Sequence, residues 1–311
     1  MSTRKPFAGA ERRWRQTREA NKVARGFPGS AKIGAKVAAG VAANSIVIDG
    51  QWRLFEADGE GPAVILLHGS LSSSRQWRKL AERLGDRYRV LAPDLYAAPD
   101  AAGATQVGDF TFAQDCAFVQ QLIDENGKAH VVGHSWGGVI AAKAAFGRRH
   151  KLMSLTLIEP SCFHLLDKAS AEFAEIIGVH DRGRALFAQG DVTGAARLFV
   201  EYWMGPSGWS DMPARRQETI LAAIPRLHRD WAGTLDPNTR LDDFRAFDTR
   251  TLLMHARDTR RPSARIVAML AGAMLRAAET EIASGGHMSP LTNPEPVNDA
   301  IETFLAQNIR G

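Results

Sequence analysis

The feature that most constrains this chain is an alternation along its length. Short continuous apolar runs are separated by stretches whose apolar residues recur at helical spacing. Ala63 to Leu67, Arg89 to Ala92, His130 to Val132, Leu152 to Ile158, Thr251 to Met254 and roughly Ala277 to Ala283 read as strands. A run such as Ala-Val-Ile-Leu-Leu has no polar face, so it belongs in a sheet covered on both sides. Between the runs, Phe112, Cys116, Val119 and Ile123 share one helical face, as do Val297, Ile301, Phe304 and Leu305. Strands alternating with helices imply right-handed crossovers and a mostly parallel sheet with helices on both faces, an α/β fold. An antiparallel hairpin, Ser45 to Ile48 and Gln51 to Glu56 around Asp49-Gly50, leads into it.

The rhythm breaks between Ser161 and about Phe247, where the sequence turns helical, charged and rich in large aromatics. Phe163, Phe173, Phe187, Phe199, Trp203, Trp209 and Trp231 need a surface to bury against, so residues 161–247 read as an inserted helical cap and not as a linker. The expected organisation is a basic extension over 1–44, a core over 45–160 and 248–311, and the cap between its two parts.

Charge is unevenly placed. Residues 1–45 hold ten Lys or Arg and two acids, a charge of +8 against +5 for the whole chain, so the remainder carries −3. A mildly acidic body speaks against nucleic acid as its partner. Contact of residues 1–44 with an acidic membrane or a protein partner stays open, beside the plainer reading of a solvated extension. No apolar run approaches the ~18 residues of a spanning helix, and no secretory signal is recognisable, so a cytoplasmic location is expected. Cys116 and Cys162 fit neither a metal-ligand spacing nor a disulfide framework and read as buried small hydrophobes. No metal and no cofactor is expected.

The chemistry concentrates at Gly133-His-Ser135-Trp-Gly137. A G-x-S-x-G pentapeptide alone is a weak signal. Here it follows the apolar strand ending at Val132 and opens the small-residue helix from Gly138 to Ala145, the strand–turn–helix setting that exposes a serine at the tip of a strained turn. A serine hydroxyl needs a base, and the base needs an orienting carboxylate. Of nine histidines, His287 has the best position, after the last strand in Ser284-Gly-Gly-His287. His68 more simply braces the Gly69 loop, and His134 points inward. Asp258, just past the strand Thr251 to Met254, is the first candidate for the carboxylate; its plainer role is a turn or helix-capping residue paired with Arg257, Arg260 or Arg261. Glu159, at the end of the strand after the serine's helix, is the alternative acid; its plainer role is a strand-end residue holding the cap.

His68-Gly69, Asp94 after a strand, the Gly133–Gly138 elbow, Asp258 four residues before Pro262 and Gly286-His287-Met together resemble the α/β-hydrolase superfamily over roughly residues 45–308. The resemblance implies an eight-stranded, mostly parallel sheet with a helical cap inserted after the sixth strand. It also implies an oxyanion hole made by the backbone N–H of Trp136 and of Ser70, or of Leu71. Two departures stand out: Leu95-Tyr-Ala-Ala-Pro99 lacks the usual Arg and glycines, and His255-Ala256 stands where a glycine is common.

Serine at 135, where an epoxide hydrolase or haloalkane dehalogenase needs a carboxylate, points to an acyl-enzyme. The expected activity is a serine hydrolase cleaving a small to medium, mainly apolar carboxylic ester beneath the cap. The alternatives are a carbon–carbon bond hydrolase of ring-cleavage products, which can use the same three groups, and a non-catalytic binding protein that keeps the fold.

Overall fold

The computed structural model describes residues 44–48, 52–95 and 111–309. The basic stretch before Asn44 and most of the loop after Leu95 lie outside these residues. Ala43–Gly311 forms one compact unit.

The sheet runs in the order β1-β2-β4-β3-β5-β6-β7-β8. Its six parallel strands are β3 (Ala63–Leu67), β4 (Arg89–Pro93), β5 (Ala129–His134), β6 (Leu152–Ile158), β7 (Thr251–Ala256) and β8 (Ala277–Ile282). β1 (Asn44–Ile48) and β2 (Trp52–Asp58) form an antiparallel hairpin that joins the edge of β4. The helices outside the insertion are α1 (Arg78–Leu84), α2 (Phe112–Glu125), α3 (Trp136–Phe146), α8 (Arg261–Ala273), α9 (Ser289–Thr292) and α10 (Pro294–Gln307).

The strand period of two sorts the core. In β3, Ala63, Ile65 and Leu67 enter one hydrophobic cluster with α2, α3 and α8, while Val64 and Leu66 enter another with α1 and α10. Every residue of β3 is buried, as a two-sided strand requires. Each of its Val, Ile and Leu side chains contributes about 1.5–3 kcal/mol when fully removed from water.

Between β6 and β7 no strand forms. The chain passes a 3-10 turn at Phe163–Leu165 and then α4 (Ala171–Ala188), α5 (Val192–Met204), α6 (Ala214–Thr234) and α7 (Leu241–Arg245). Ser170 and Asp191 cap α4 and α5 by accepting the amides of Phe173 (3.1 Å) and Gly194 (2.7 Å). The aromatics find their surface: Phe163, Trp203, Trp209 and Trp231 are buried in the same cluster as Leu67, Val139 and Ile140. The insertion thus shares its core with one face of the sheet.

Register places the site. Leu67 pairs with Gly133, His134 with Ile158, and Ile158 with Met254. The residues that leave β3, β5, β6 and β7 therefore emerge along one edge, the carboxyl ends of the parallel strands, where open α/β sheets bind ligands.

Candidate active site

Ser135 occupies the turn between β5 and α3 with φ +54° and ψ −117°, a backbone conformation that costs a non-glycine residue of order 1–3 kcal/mol. The turn is held by Ser135 N–H to Ile158 O (2.9 Å) and by Ser161 N–H to Ser135 O (3.2 Å). Glycine is required on both sides of it. A Cβ at Gly133 would lie 2.3 Å from Gly137 O, and one at Gly137 would lie 2.3 Å from Leu67 O. Strand, turn and helix approach so closely that only hydrogen fits.

The Ser135 hydroxyl lies 2.9 Å from His287 Nε2, and His287 Nδ1 lies 2.7 Å from Glu159 Oε2. All three side chains are buried. Because a carboxylate only accepts, Nδ1 carries the proton and Nε2 is left to accept from the serine. The Glu159 carboxylate also accepts from Ala256 N (2.9 Å) and the Thr259 hydroxyl (2.6 Å). Burial pushes its pKa up, but hydrogen bonding and charge from His287, with the Thr259 and Ala256 donors, outweigh burial and hold it below the ordinary value. Glu159 is itself at φ +43°, the second strained residue of the site.

The carboxylate that meets His287 is therefore Glu159, and the first expectation, Asp258, is corrected. Asp258 is exposed and accepts Gly286 N–H (2.9 Å) and Gly285 N–H (3.2 Å), fastening the turn that carries His287. Its small burial pushes the pKa up, and those two amides outweigh it and lower the pKa. It is a turn residue, though not the Arg partner first imagined: Arg257 pairs with Glu281 and Arg260 donates to Tyr202 O. Geometry explains the exchange. Glu159 leaves β6, the strand next to the serine's own β5, whereas Asp258 lies two residues beyond the end of β7, one strand farther out.

Ser70 and Trp136 flank the serine. Trp136 is the first residue of α3, and among the described residues neither its N–H nor that of Ser70 meets a protein acceptor. Leu71, the other candidate, is at φ +55°, and its carbonyl accepts from Arg216. His68 braces the loop as expected: Nδ1–H donates to Gly69 O (2.7 Å) and Nε2 accepts from Leu95 N–H (2.9 Å). Burial lowers its pKa, against the opposing charge of Asp94.

Other contributors carry contacts that the sequence does not foretell: Trp203 and His134 read there only as buried residues, and nothing singles out Gln76 or the Ser161 side chain. Trp203 of α5 stacks on His287 with ring centroids 3.9 Å apart at 29°, covering one face of the imidazole. The Ser161 hydroxyl is 3.1 Å from Ser135 Oγ. Gln76 accepts from Gly69 N–H (3.2 Å) and donates to His134 Nδ1 (3.2 Å), while His134 Nε2–H donates to His287 O (2.8 Å). Burial, with the neighbouring His287, drives the His134 pKa down to about 3, so its ring is a neutral strut between the serine's turn and the histidine's. Of these residues only His134 lies in a motif, as the variable residue of the elbow; Trp203, Ser161 and Gln76 are marked only by their burial beside it.

A cavity of about 480 Å3 opens onto Ser135 and His287, walled on the insertion side by Phe199, Trp203, Met204, Met212 and Ile220. Among the described residues no cluster of His, Cys, Asp or Glu could hold a metal ion, and no helix is long and apolar enough to cross a membrane. Burial pushes the thiols of Cys116 and Cys162 up to about 12, which leaves them poor nucleophiles at neutral pH.

Comparison with known proteins decides the family: residues 64–300 match the Alpha/beta hydrolase family. The chain belongs to the α/β-hydrolases. A hydrolase from Pseudomonas aeruginosa is similar in structure (TM-score 0.67, 20% identity, 85% of this chain and 98% of that one). So is a thermophilic esterase from Thermogutta terrifontis (TM-score 0.65, 22% identity, 86% and 98%). At such identities the likeness shows the fold alone. In sequence, this α/β-hydrolase is 34% identical over 117 residues to the dihydrolipoyllysine-residue acetyltransferase component of an acetoin cleaving system from Cupriavidus necator. That match covers 36% of this chain and 30% of the relative, under a third of the relative's length.

Proposed function

We propose that this α/β-hydrolase is a serine hydrolase that cleaves small to medium, mainly apolar carboxylic esters through an acyl-enzyme. Ser135 is the nucleophile, His287 the general base and Glu159 the carboxylate that orients it. The observation that carries the reading is the unbroken relay from Ser135 Oγ to His287 Nε2 (2.9 Å) and from His287 Nδ1 to Glu159 (2.7 Å).

His287 takes the hydroxyl proton as Ser135 Oγ attacks the ester carbonyl, and the imidazolium so formed is stabilised by the Glu159 carboxylate. The N–H groups of Ser70 and Trp136 hold the charge that develops on the carbonyl oxygen. His287 then gives its proton to the departing alcohol, leaving Ser135 acylated. Water, deprotonated by the same imidazole, attacks the acyl group and releases the acid. The helices between β6 and β7 act as a cap, and the apolar wall of Phe199, Met204, Met212 and Ile220 favours an apolar acyl or alkyl group.

The test is labelling with a fluorophosphonate probe and turnover of short p-nitrophenyl esters, comparing wild type with Ser135→Ala. Wild type labels and turns over, and the variant does neither. Labelling that persists in Ser135→Ala removes this serine as nucleophile, and ring-cleavage diketones that turn over where esters do not move the assignment to carbon–carbon bond hydrolysis.

A further inference from the structure

The loop after β3, which under the proposed function supplies the Ser70 N–H to the oxyanion, is gripped at two successive residues by one helix of the insertion. The Ser70 hydroxyl donates to Asp230 Oδ2 at 2.5 Å, and Arg216 Nη2 donates to Leu71 O at 2.7 Å. Both partners belong to α6, fourteen residues and about 21 Å of helix apart. Two side chains set far apart along the helix thus converge on adjacent residues of the loop.

Each contact constrains something the reaction needs. Leu71 is at φ +55°, so the peptide that joins it to Ser70 is in a strained turn, and the Arg216 bond to the Leu71 carbonyl helps keep it there. Asp230 is 4% exposed, so little water competes at its carboxyl for the Ser70 hydroxyl. Burial pushes its pKa well up, against the Ser70 hydrogen bond, with the charge of Asp115 adding to the rise and that of Arg226 opposing it. A buried carboxyl is costly to keep, and packing alone would be better served by an apolar side chain.

We infer that Asp230 and Arg216 are positioning residues: α6 of the insertion fixes the Ser70–Leu71 turn in the geometry that binds the oxyanion, so the insertion sets the rate of acyl transfer as well as covering the pocket. The inference rests on the proposed hydrolase reading. A displacement of the donor by a fraction of an ångström weakens a bond made to the tetrahedral state and leaves substrate binding nearly as it was.

The experiment measures kcat and KM of the full chain on p-nitrophenyl butyrate, together with inhibition by an alkyl trifluoromethyl ketone, which forms a tetrahedral adduct with a serine hydroxyl. The variants are Asp230→Ala, Asp230→Asn, Ser70→Ala and the Ser70→Ala/Asp230→Ala pair. We expect kcat to fall about 10- to 100-fold in Asp230→Ala and Ser70→Ala with KM within about threefold, and ketone affinity to fall in step with kcat. Asp230→Asn, whose amide oxygen can still accept from Ser70, recovers most of the rate, and the double variant is no slower than the worse single one. Unchanged kcat in Asp230→Ala and Ser70→Ala overturns the inference, as does a loss carried by KM alone. Should Asp230→Ala fail to fold by circular dichroism, Ser70→Ala, which removes only a hydroxyl, decides. A wild type that neither labels with fluorophosphonate nor turns over sinks the hydrolase reading and this inference together, whereas an active wild type with unaffected variants sinks the inference alone.

Discussion

Glu159 keeps a negative charge where solvent does not reach, and it can do so only because three donors converge on it: His287 Nδ1–H, the Thr259 hydroxyl and the Ala256 amide. Removing its charge leaves the imidazole without its orienting partner. Glu159→Gln is expected to lower kcat on p-nitrophenyl esters by about 10³- to 10⁴-fold, the scale seen when a triad carboxylate is made an amide. Asp258→Asn weakens only the fastening of the Gly285-Gly286 turn and is expected to cost about tenfold or less. Measured side by side, the two variants separate the roles, and a larger loss for Asp258→Asn would restore it as the carboxylate. Along the chain the choice could not be made, because serine, acid, histidine is the order for either residue. Both follow strands and both stand near a proline, Glu159 beside Pro160 and Asp258 four residues before Pro262. What decides is which strand lies next to β5, a property of sheet order that no local pattern carries.

At the scale of elements the sequence is far more explicit. A strand covered on both faces is mostly apolar, so β3, β6 and the start of β7 announce themselves despite Ser154, Thr156 and Thr251, and the elbow is legible because glycines at fixed offsets answer a steric demand. β8 is less plain: its Glu279 and Glu281 stand among exposed residues of an edge strand, which needs cover on fewer sides. The insertion's aromatics foretell burial but not partners. Nothing in the spacing of Trp203 places it on His287, since that contact depends on how α5 docks. The close approach of α3 to β3 makes a direct prediction. Gly137→Ala drives a methyl to 2.3 Å from the Leu67 carbonyl, and a stability loss of about 3 kcal/mol is expected in urea unfolding. Gly272→Ala, in α8 with nothing within 4 Å of the added carbon, serves as the control and is expected to gain up to about 1 kcal/mol from helix propensity. Equal losses in the two would mean that the strand–helix contact is looser than 2.3 Å implies.

For the whole molecule, the burial that shields the site also stores several histidines in the uncharged state. Burial lowers His130 to about 4 and His164 to about 4, and with His287 beside it His134 falls to about 3, against 6.5 in the open chain. Each binds a proton more readily once unfolded, so stability falls as pH drops from about 6.5 towards those values, and it is fully present above 6.5. Glu159 acts in the same direction at lower pH: its depressed pKa contributes stability above the ordinary carboxylate range that is lost as pH falls through the folded value. The expected result is a urea midpoint flat from pH 7 to 8 and declining steeply below 6. His130 gives the cleanest check. It stands on β5, its Nδ1 2.7 Å from the Ser154 hydroxyl on β6, away from the serine's turn. At one pKa unit per 1.36 kcal/mol, its displacement corresponds to about 3 kcal/mol between pH 7 and pH 4. His130→Gln, which cannot titrate, should therefore lose about 3 kcal/mol less than wild type between pH 7 and pH 4, whatever its starting stability at pH 7. Parallel curves would mean that His130 is not held neutral and that acid opens the molecule elsewhere.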